Sequence, residues 1–339
     1  GKIATFFTDS ASFFICLGAI KSVSYKNMKS TTDLQIQTTA SDGKHTPQEC
    51  VKMAKDLEIG FISITDHDTV DGVDEAFEAG EEFNIRVISG IEISAEDKGD
   101  VKHILGYGID HKDPDFLAKL ENFKRSRIKG AKQMIENLRN NEGFVVRWED
   151  VLKEVTGNVV ARPHIVKAVL NRKENKEKLG DVSTVHDFIT KYLSNESPNF
   201  VHRPHISVKD AIALIHHTGG VAVWSHPAIH FREGEKEPKT TNYEALENFL
   251  QELIGWWLDG LEVFGASHAE DDAEFMQNMA IKYNLLRTAG SDFHETGNHA
   301  RNPIGLHSAD KLGDFETYGF DISDIIPKLD EAINLKRQK

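Results

Sequence analysis

The sequence has little cysteine, no long hydrophobic run and a deficit of positive charge. Its 339 residues include two cysteines, Cys16 and Cys50, which excludes a disulfide framework and fits a reducing compartment such as the cytoplasm. A total of 40 Lys and Arg against 54 Asp and Glu gives a net charge of -14. This balance argues against a long nucleic acid as partner, because phosphate binding needs clustered cations. A small anionic substrate is still compatible, since bound metal ions reverse the local charge.

The apolar stretch from Ala11 to Ile20 is shorter than the ~20 residues that cross a bilayer, so no membrane partner is predicted. Three interpretations of the N-terminal extension, residues 1–30, stay open. It is the core of a secretory signal, an extension that packs on the rest of the protein, or a region that precedes a natural start at Met28.

Short apolar strands alternate with helical stretches in two parts of the chain, which predicts βα units and an α/β fold. After a first strand that begins at Asp33, the predicted strands are Phe61–Thr65, Arg86–Ser89, His103–Ile109, Val221–Trp224, Gly260–Phe264 and Leu285–Thr288. Residues 31–111 and 206–308 carry this rhythm. Between them, residues 112–205 have a helical apolar stripe and predict a helical insertion. Residues 309–339 predict a tail with a surface helix.

Metal-binding residue types recur at the ends of these strands. They are Asp42, His67, Glu92, His103, His226, Asp292 and His294. All follow the end of a predicted strand, except His103 at a strand start. The C-terminal strand ends of a βα barrel form its active-site face, and imidazole with carboxylate suits divalent ions such as Zn, Mn or Fe. A single such residue would be unremarkable, but seven at successive strands predict a metal centre.

The motifs DLQIQTTASDG, ITDHDTVDG, GIEIS, HILGYGID, ARPHI, VWSHP, LEVF and GSDFH resemble those of the PHP (polymerase and histidinol phosphatase) family of metal-dependent phosphoesterases. The resemblance covers roughly residues 33–111 and 211–306. It implies a distorted (β/α)7 TIM-like barrel whose helical insertion covers the strand ends. It also implies a phosphatase that uses metal-activated water on a small nucleotide-like phosphate monoester, including nucleoside 3′,5′-bisphosphates.

The same resemblance implies two or three divalent ions, Mn, Zn or Fe, with Mg as a further candidate. Asp42, His67 and His294 would hold one ion. Glu92, His103 and His226 would hold another. Glu92 would bridge to a third site shared with Asp292.

The first motif departs from the family at the third site. Family members carry His at the places that Gln35 and Gln37 occupy here, and a Gln amide oxygen is a weaker ligand than imidazole for transition metals. Two interpretations follow: an active enzyme whose third site is vacant or takes a hard metal, or a degenerate one without turnover.

The resemblance also implies substrate-side residues. Pro163 in the first turn of a helix places Arg162 and His164 near the helix N-terminus, where anions bind, and the matching residues of the family face a phosphate. His268 lies on a loop that faces the phosphate. The implied catalytic set is Asp42, His67, Glu92, His164 and His268, with His164 or His268 protonating the leaving oxygen.

Two other functions stay open. One is a non-catalytic PHP module that binds metal or a phosphorylated ligand, and the glutamine pair is its evidence. The other is an exonuclease of short oligonucleotides, which the acidic composition disfavours. The sequence gives no oligomeric state.

Overall fold

The centre of the fold is a sheet that curves into a nearly closed barrel. The computed structural model describes residues 31–155, 157, 159–202, 205–233, 240–296 and 309–338, so the three interpretations of residues 1–30 lie outside the described residues. The strands are Thr32–Ile36 (β1), Phe61–Ile64 (β2), Arg86–Asp97 (β3), Asp100–Tyr107 (β4), Ile206–Ser207 (β5), Val221–Trp224 (β6), Arg232–Glu233 (β7), Thr240–Thr241 (β8), Gly260–Gly265 (β9) and Leu286–Gly290 (β10).

Helices cover the outside of the barrel and fill the region between β4 and β5. They are Pro47–Asp56 (α1), Val73–Phe83 (α2), Pro114–Glu142 (α3), Trp148–Glu154 (α4), Arg162–Leu170 (α5), Lys176–Leu179 (α6), Val185–Tyr192 (α7), Val208–His217 (α8), Tyr243–Gly255 (α9), Glu270–Lys282 (α10) and Ile325–Arg337 (α11). Among them, α1 begins with the capping box that Thr46 and Glu49 predict.

Seven strands form the barrel in the order β1-β2-β3-β4-β6-β9-β10, and β5 pairs with the far end of β3. Pairing is parallel throughout except around β4, which is antiparallel to both β3 and β6. The backbone of β1 approaches β10 through Gln37 N, which donates to Phe293 O at 2.8 Å. The predicted distorted (β/α)7 barrel is therefore confirmed, and β4 is its distortion.

The strands are buried on both faces because helices cover the outside and side chains fill the inside. In β1, Leu34 and Ile36 pack outward into apolar clusters, while Asp33 and Gln35 point to the opposite face. All of these side chains are fully buried. The inside of the barrel is therefore polar at β1, which is where the candidate site forms.

Asp33 closes the barrel by accepting hydrogen bonds from two other segments. Its Oδ1 accepts from the backbone N of Ser291 at 2.9 Å, and its Oδ2 accepts from the Ser291 hydroxyl at 2.5 Å. Oδ2 also accepts from the backbone N of Gly313 at 2.7 Å. One buried carboxylate thus joins β1, the residue that follows β10, and the segment before α11.

Helices α3 to α7 form a unit with its own apolar cluster, in which Leu138, Val151, Ile165 and Phe188 are buried. This unit lies against the barrel at two described places. Arg127 of α3 forms an ion pair with Asp68, and the Cα of Gly157 lies so close to Thr39 that a Cβ there would meet the Thr39 carbonyl oxygen. The unit therefore covers the loops that follow β1 and β2.

The structure corrects two predictions at the level of elements. The third strand does not end at Ser89 but runs on to Asp97, so Glu92 lies inside β3. The fourth strand begins at Asp100, so His103 is also within a strand.

Within the described residues, no helix combines the length and apolar character that crossing a bilayer requires. The cytoplasmic location and the segment boundaries stay predictions.

We expect Asp33→Asn to lower the free energy of unfolding by about 2 kcal/mol or more. The carboxylate now accepts hydrogen bonds from backbone N–H groups, and the amide of Asn would place its own N–H donors against one of them. Urea unfolding followed by circular dichroism measures this. Asp56→Asn is the control, since Asp56 forms an exposed pair with Lys52 and exposed pairs contribute about 0 to 1 kcal/mol. Equal losses in both variants would contradict the role given to Asp33.

Candidate metal centre

The loop after β1 is held in place by Asp66, at the end of β2. Its Oδ1 accepts from the backbone N of Thr38 at 2.7 Å and from the hydroxyl of Ser41 at 2.5 Å, and its Oδ2 accepts from the hydroxyl of Thr38 at 2.7 Å. Burial raises the pKa of Asp66 to about 6, although these hydrogen bonds favour its charged form. The loop so fixed carries Asp42 into the site.

Asp42, His67 and His294 come together as predicted, with one ligand atom of each within 4.8 Å of the others. The Nε2 atom of His294 lies 3.7 Å from Oδ1 of Asp42. Burial alone would raise the pKa of Asp42, but the two histidines outweigh it and lower the pKa. Burial likewise opposes the charge on His294, yet Asp292 and Asp42 raise its pKa to about 9.

Glu92, His103 and His226 also come together as predicted. Oε1 of Glu92 is 2.9 Å from Nδ1 of His103 and 3.2 Å from Nε2 of His226, and those two nitrogens are 3.2 Å apart. Glu92 is fully buried, and although burial opposes its charge, the surrounding histidines hold its pKa well below the usual range.

His67 belongs to both groups of ligands. Besides its place beside Asp42, it forms a second group with Glu92 and His103 whose ligand atoms lie within 4.8 Å of one another. Its Nδ1 is buried and has no hydrogen-bond partner among the described residues. A buried nitrogen without a partner is costly, so this atom fits a metal ligand.

Asp292 lies directly after β10 and beside His294. Its Oδ1 is 3.8 Å from Nδ1 of His294, whose ring also contacts the Asp292 carbonyl at 2.7 Å. Burial raises the pKa of Asp292 to about 7, and the nearby Glu92 acts in the same direction. The carboxyl is therefore crowded by negative charge, as expected at a place where a cation would bind.

Gln35 and Gln37 present N–H groups rather than carbonyl oxygens to Glu92, although the carbonyl oxygen of Gln35 is itself buried without a hydrogen-bond partner among the described residues. Both side chains are fully buried and both donate through Nε2 to Oε2 of Glu92, at 3.1 Å and 2.6 Å. An amide nitrogen that donates has no lone pair to offer a metal ion. The third site that the family motif implies is therefore occupied here by N–H groups.

Glu262 fixes the backbone of His226, one of the residues grouped around Glu92. Its Oε2 accepts from the backbone N of His226 at 2.8 Å, and His226 has a left-handed backbone with φ of 31°. Burial raises the pKa of Glu262 well above its usual range, and neighbouring carboxylates add to this. This buried carboxyl fixes an uncommon backbone conformation that aims the His226 ring at Glu92.

Arg162 and His164 begin α5, as the sequence predicts. The guanidinium of Arg162 lies over the Phe200 ring, 5.0 Å from its centroid, and donates to the Leu193 carbonyl at 3.2 Å. His164 is 3% exposed, and its Nδ1 accepts from the backbone N of Ala161 at 3.0 Å. Burial lowers the pKa of His164 to about 4, although Asp42 opposes this shift. His164 is therefore neutral at pH 7 with its proton on Nε2.

His268 lies in the turn between β9 and α10. Its Nδ1 contacts the Val263 carbonyl at 3.1 Å, which places its proton there. Its Nε2 is buried without a hydrogen-bond partner among the described residues. Burial lowers the pKa of His268 to about 4, so this ring too is neutral at pH 7.

Three cations near the site were not predicted from the sequence. Lys44 follows the Asp42 loop, and its backbone N donates to the His294 carbonyl at 2.8 Å. Lys167 lies one helical turn after His164, and its side chain contacts that of Lys44. Burial is the larger cause, and this contact the second, of a lowered pKa of Lys167. Arg127 lies near Arg162. The i, i+3 spacing of His164 and Lys167 is a signal that could have identified one of them.

A family model for the PHP domain matches residues 33–255. The chain belongs to the PHP domain family. This confirms the predicted family and its class, metal-dependent phosphoesterases, and hence the prediction of a hydrolase.

The chain is also similar to individual proteins over most of their length. A 5′-3′ exoribonuclease from Haemophilus influenzae is 29% identical over 262 residues, which cover 77% of this chain and 89% of that protein. A 3′,5′-nucleoside bisphosphate phosphatase from Chromobacterium violaceum is 29% identical, covering 80% and 89%. The crystal structure of a candidate metal-dependent phosphoesterase from Bifidobacterium adolescentis has a TM-score of 0.69 at 28% identity, covering 89% and 96%.

We expect His67→Ala to reduce the number of bound ions more than His226→Ala does, because His67 belongs to both groups of ligands of this PHP domain. Elemental analysis after loading with Mn and gel filtration measures the ion content. His216→Ala is the control, since His216 lies outside the centre and contacts Asp259 at 2.7 Å. An unchanged ion content in His67→Ala would contradict this arrangement.

Proposed function

We propose that this protein is a metal-dependent phosphatase that releases phosphate from a small nucleotide-like phosphate monoester. The observation that carries the proposal is that residues of the helical insertion, residues 112–205, and Lys44 lie near the first group of candidate ligands. His164 interacts electrostatically with Asp42 on one side and with Lys44 and Lys167 on the other. His164 is therefore close enough to a candidate metal ligand and to two cations to interact with all three, which supports a phosphate site beside the ions.

The ligand atoms fit two divalent ions of the Mn, Zn or Fe type, because each group combines carboxylate with imidazole. Asp42, His67 and His294 would hold one ion. Glu92, His103 and His226 would hold the other, with Asp292 beside both. Bound ions would supply a water of lowered pKa and positive charge for the phosphoryl oxygens.

The residues of the insertion would bind and orient the phosphate. Arg162 offers a planar fork that suits phosphate oxygens, and Phe200 holds its plane in one orientation. His164 would donate a hydrogen bond from Nε2, because its Nδ1 is already an acceptor of the Ala161 N–H. As a neutral ring with a low pKa, His164 suits a hydrogen-bond donor better than the acid that protonates the leaving oxygen.

His268 would contact the leaving group. Its Nε2, which has no hydrogen-bond partner among the described residues, can accept a hydrogen bond from a substrate hydroxyl. Its neutral state at pH 7 makes it a poor proton donor in the protein alone. We therefore assign His268 to substrate orientation, and a proton for the leaving oxygen would come from a water in the site.

The decisive experiment assays phosphate release and ion content in one purified sample, with Mn and a panel of mononucleotides and nucleoside 3′,5′-bisphosphates. We expect release that chelation abolishes and Mn restores, because the site consists mainly of ion ligands. His103→Ala should lower kcat by at least about 100-fold. The control, His111→Ala, changes a residue outside the centre whose ring contacts Asp74 at 2.8 Å. Bound ions without release from any substrate would favour the non-catalytic module.

A second candidate is a 5′-3′ exonuclease of short RNA. It is supported by the exoribonuclease relative and by the contact of Lys44 with Lys167, two cations in addition to Arg162. The protein as a whole is acidic, so we propose that long nucleic acids bind poorly and short oligonucleotides well. The ratio of kcat/KM for a 5′-phosphorylated trinucleotide and for a nucleoside bisphosphate decides between the two candidates.

We expect Lys167→Ala to raise KM by roughly 10-fold with a smaller change in kcat, because Lys167 contacts Lys44 and their joined positive charge would attract a substrate anion without touching the reacting atoms. Steady-state kinetics at low and at high salt measures this, and salt should reduce the difference between wild type and variant. Lys176→Ala, on an exposed part of the short helix α6, is the control. A fall in kcat at unchanged KM would contradict this role.

A further inference from the structure

Two buried glutamines, one in β1 and one directly after it, donate to the same atom. Nε2 of Gln37 donates to Oε2 of Glu92 at 2.6 Å. Nε2 of Gln35 donates to the same oxygen at 3.1 Å and to the hydroxyl oxygen of Ser225 at 2.9 Å. Because an amide NH2 has two donors, Gln35 has used both. We call this pair of glutamines the amide clamp.

The clamp divides the carboxylate of Glu92 into two halves with different partners. Oε1 faces the ring nitrogens of His103 and His226, at 2.9 Å and 3.2 Å. Oε2 faces the clamp, and His67 lies farther away, with Nδ1 at 3.7 Å. A carboxylate is an acceptor only, so both amides must present N–H groups rather than carbonyl oxygens to Oε2.

The chain offers no easy way to reverse these amides. Turning Gln37 over would bring its carbonyl oxygen against Oε2 of Glu92, where two acceptors repel. It would also remove the contact between its carbonyl oxygen and the Ser41 hydroxyl, 3.4 Å away. Turning Gln35 over would cost its bonds to Glu92 and Ser225. A cation at Oε2 would therefore have to displace donors that are already well placed.

We propose that the amide clamp replaces a third cation, so that this protein binds two ions per chain and Gln35 and Gln37 are positioning residues for Glu92. The N–H groups supply partial positive charge to Oε2 without a metal, while Oε1 faces His103 and His226 and accepts from the Ser225 hydroxyl at 3.2 Å. This inference rests on the proposed function for the location of the two ion sites. It does not depend on turnover.

The first test counts ions in the full chain. After chelation and reloading with Mn, elemental analysis should give two ions per wild-type chain and three per chain of Gln35→His/Gln37→His. Three ions in the wild type would overturn the proposal and leave the proposed phosphatase intact. A double histidine variant that stays at two ions would also overturn it. Two ions in the wild type without phosphate release would defeat the phosphatase and leave the clamp standing.

The second test asks whether the clamp stabilises Glu92 without metal. Gln35→Met/Gln37→Met keeps the approximate shape and removes the donors, which leaves Oε2 buried without them. In chelator, its thermal midpoint should fall below that of the wild type by roughly 5 °C or more, and added Mn should restore most of the loss. The control Gln277→Met removes a hydrogen bond to Arg287 far from the centre and should lose the same amount with and without Mn. A loss in the double variant that Mn does not reduce would overturn the positioning role.

Discussion

The centre of this protein depends on one buried carboxylate. Glu92 has no solvent exposure. Its two carboxylate oxygens are contacted by side chains from β4, from β1 and the residue after it, and from the residues after β2 and β6. A buried charge without partners would cost several kcal/mol, so these contacts stabilise the folded protein in addition to their role in the proposed ion sites. Because Glu92 lies inside β3 rather than at its end, the barrel must bring four elements around the middle of a strand.

The antiparallel β4 makes that arrangement possible. In an all-parallel barrel, functional side chains come from strand ends and the loops behind them. Here β3 and β4 form a hairpin, and Ser94 pairs with His103 across it. His103 therefore lies on the strand next to Glu92, two residues from Leu105, which pairs with Glu92. This places His103 within reach of the same proposed ion. The distortion of the barrel is thus the feature that completes the second group of ligands.

Much of the fold and of the centre could be predicted from local patterns. The capping box of α1 and the positions of most strands follow from sequence because each depends on neighbours along the chain. The seven candidate metal ligands follow from the residue types at those strands. The hairpin of β3 and β4 is not predicted, because Gly90 is typical of the end of a strand. The signal for it is the two-residue turn of Lys98 and Gly99, with φ of 49° and 90°, which favours a hairpin. The partners of Gln35 and Gln37 could not be predicted, since no local pattern tells that both amides point to Glu92, 55 or more residues away.

The closure of the barrel and the geometry of the metal centre rest on the same few bonds. Asp33 binds Ser291, which immediately precedes Asp292, and Gln37 N binds the Phe293 carbonyl, which immediately precedes His294. The strand that carries the amide clamp is therefore also the strand that positions the ligands after β10. A shift of β1 by a fraction of an ångström would move Glu92 and His294 relative to each other, since both are tied to it. We therefore expect the stability of the barrel and the affinity for ions at the proposed sites to be coupled through the residues of β1.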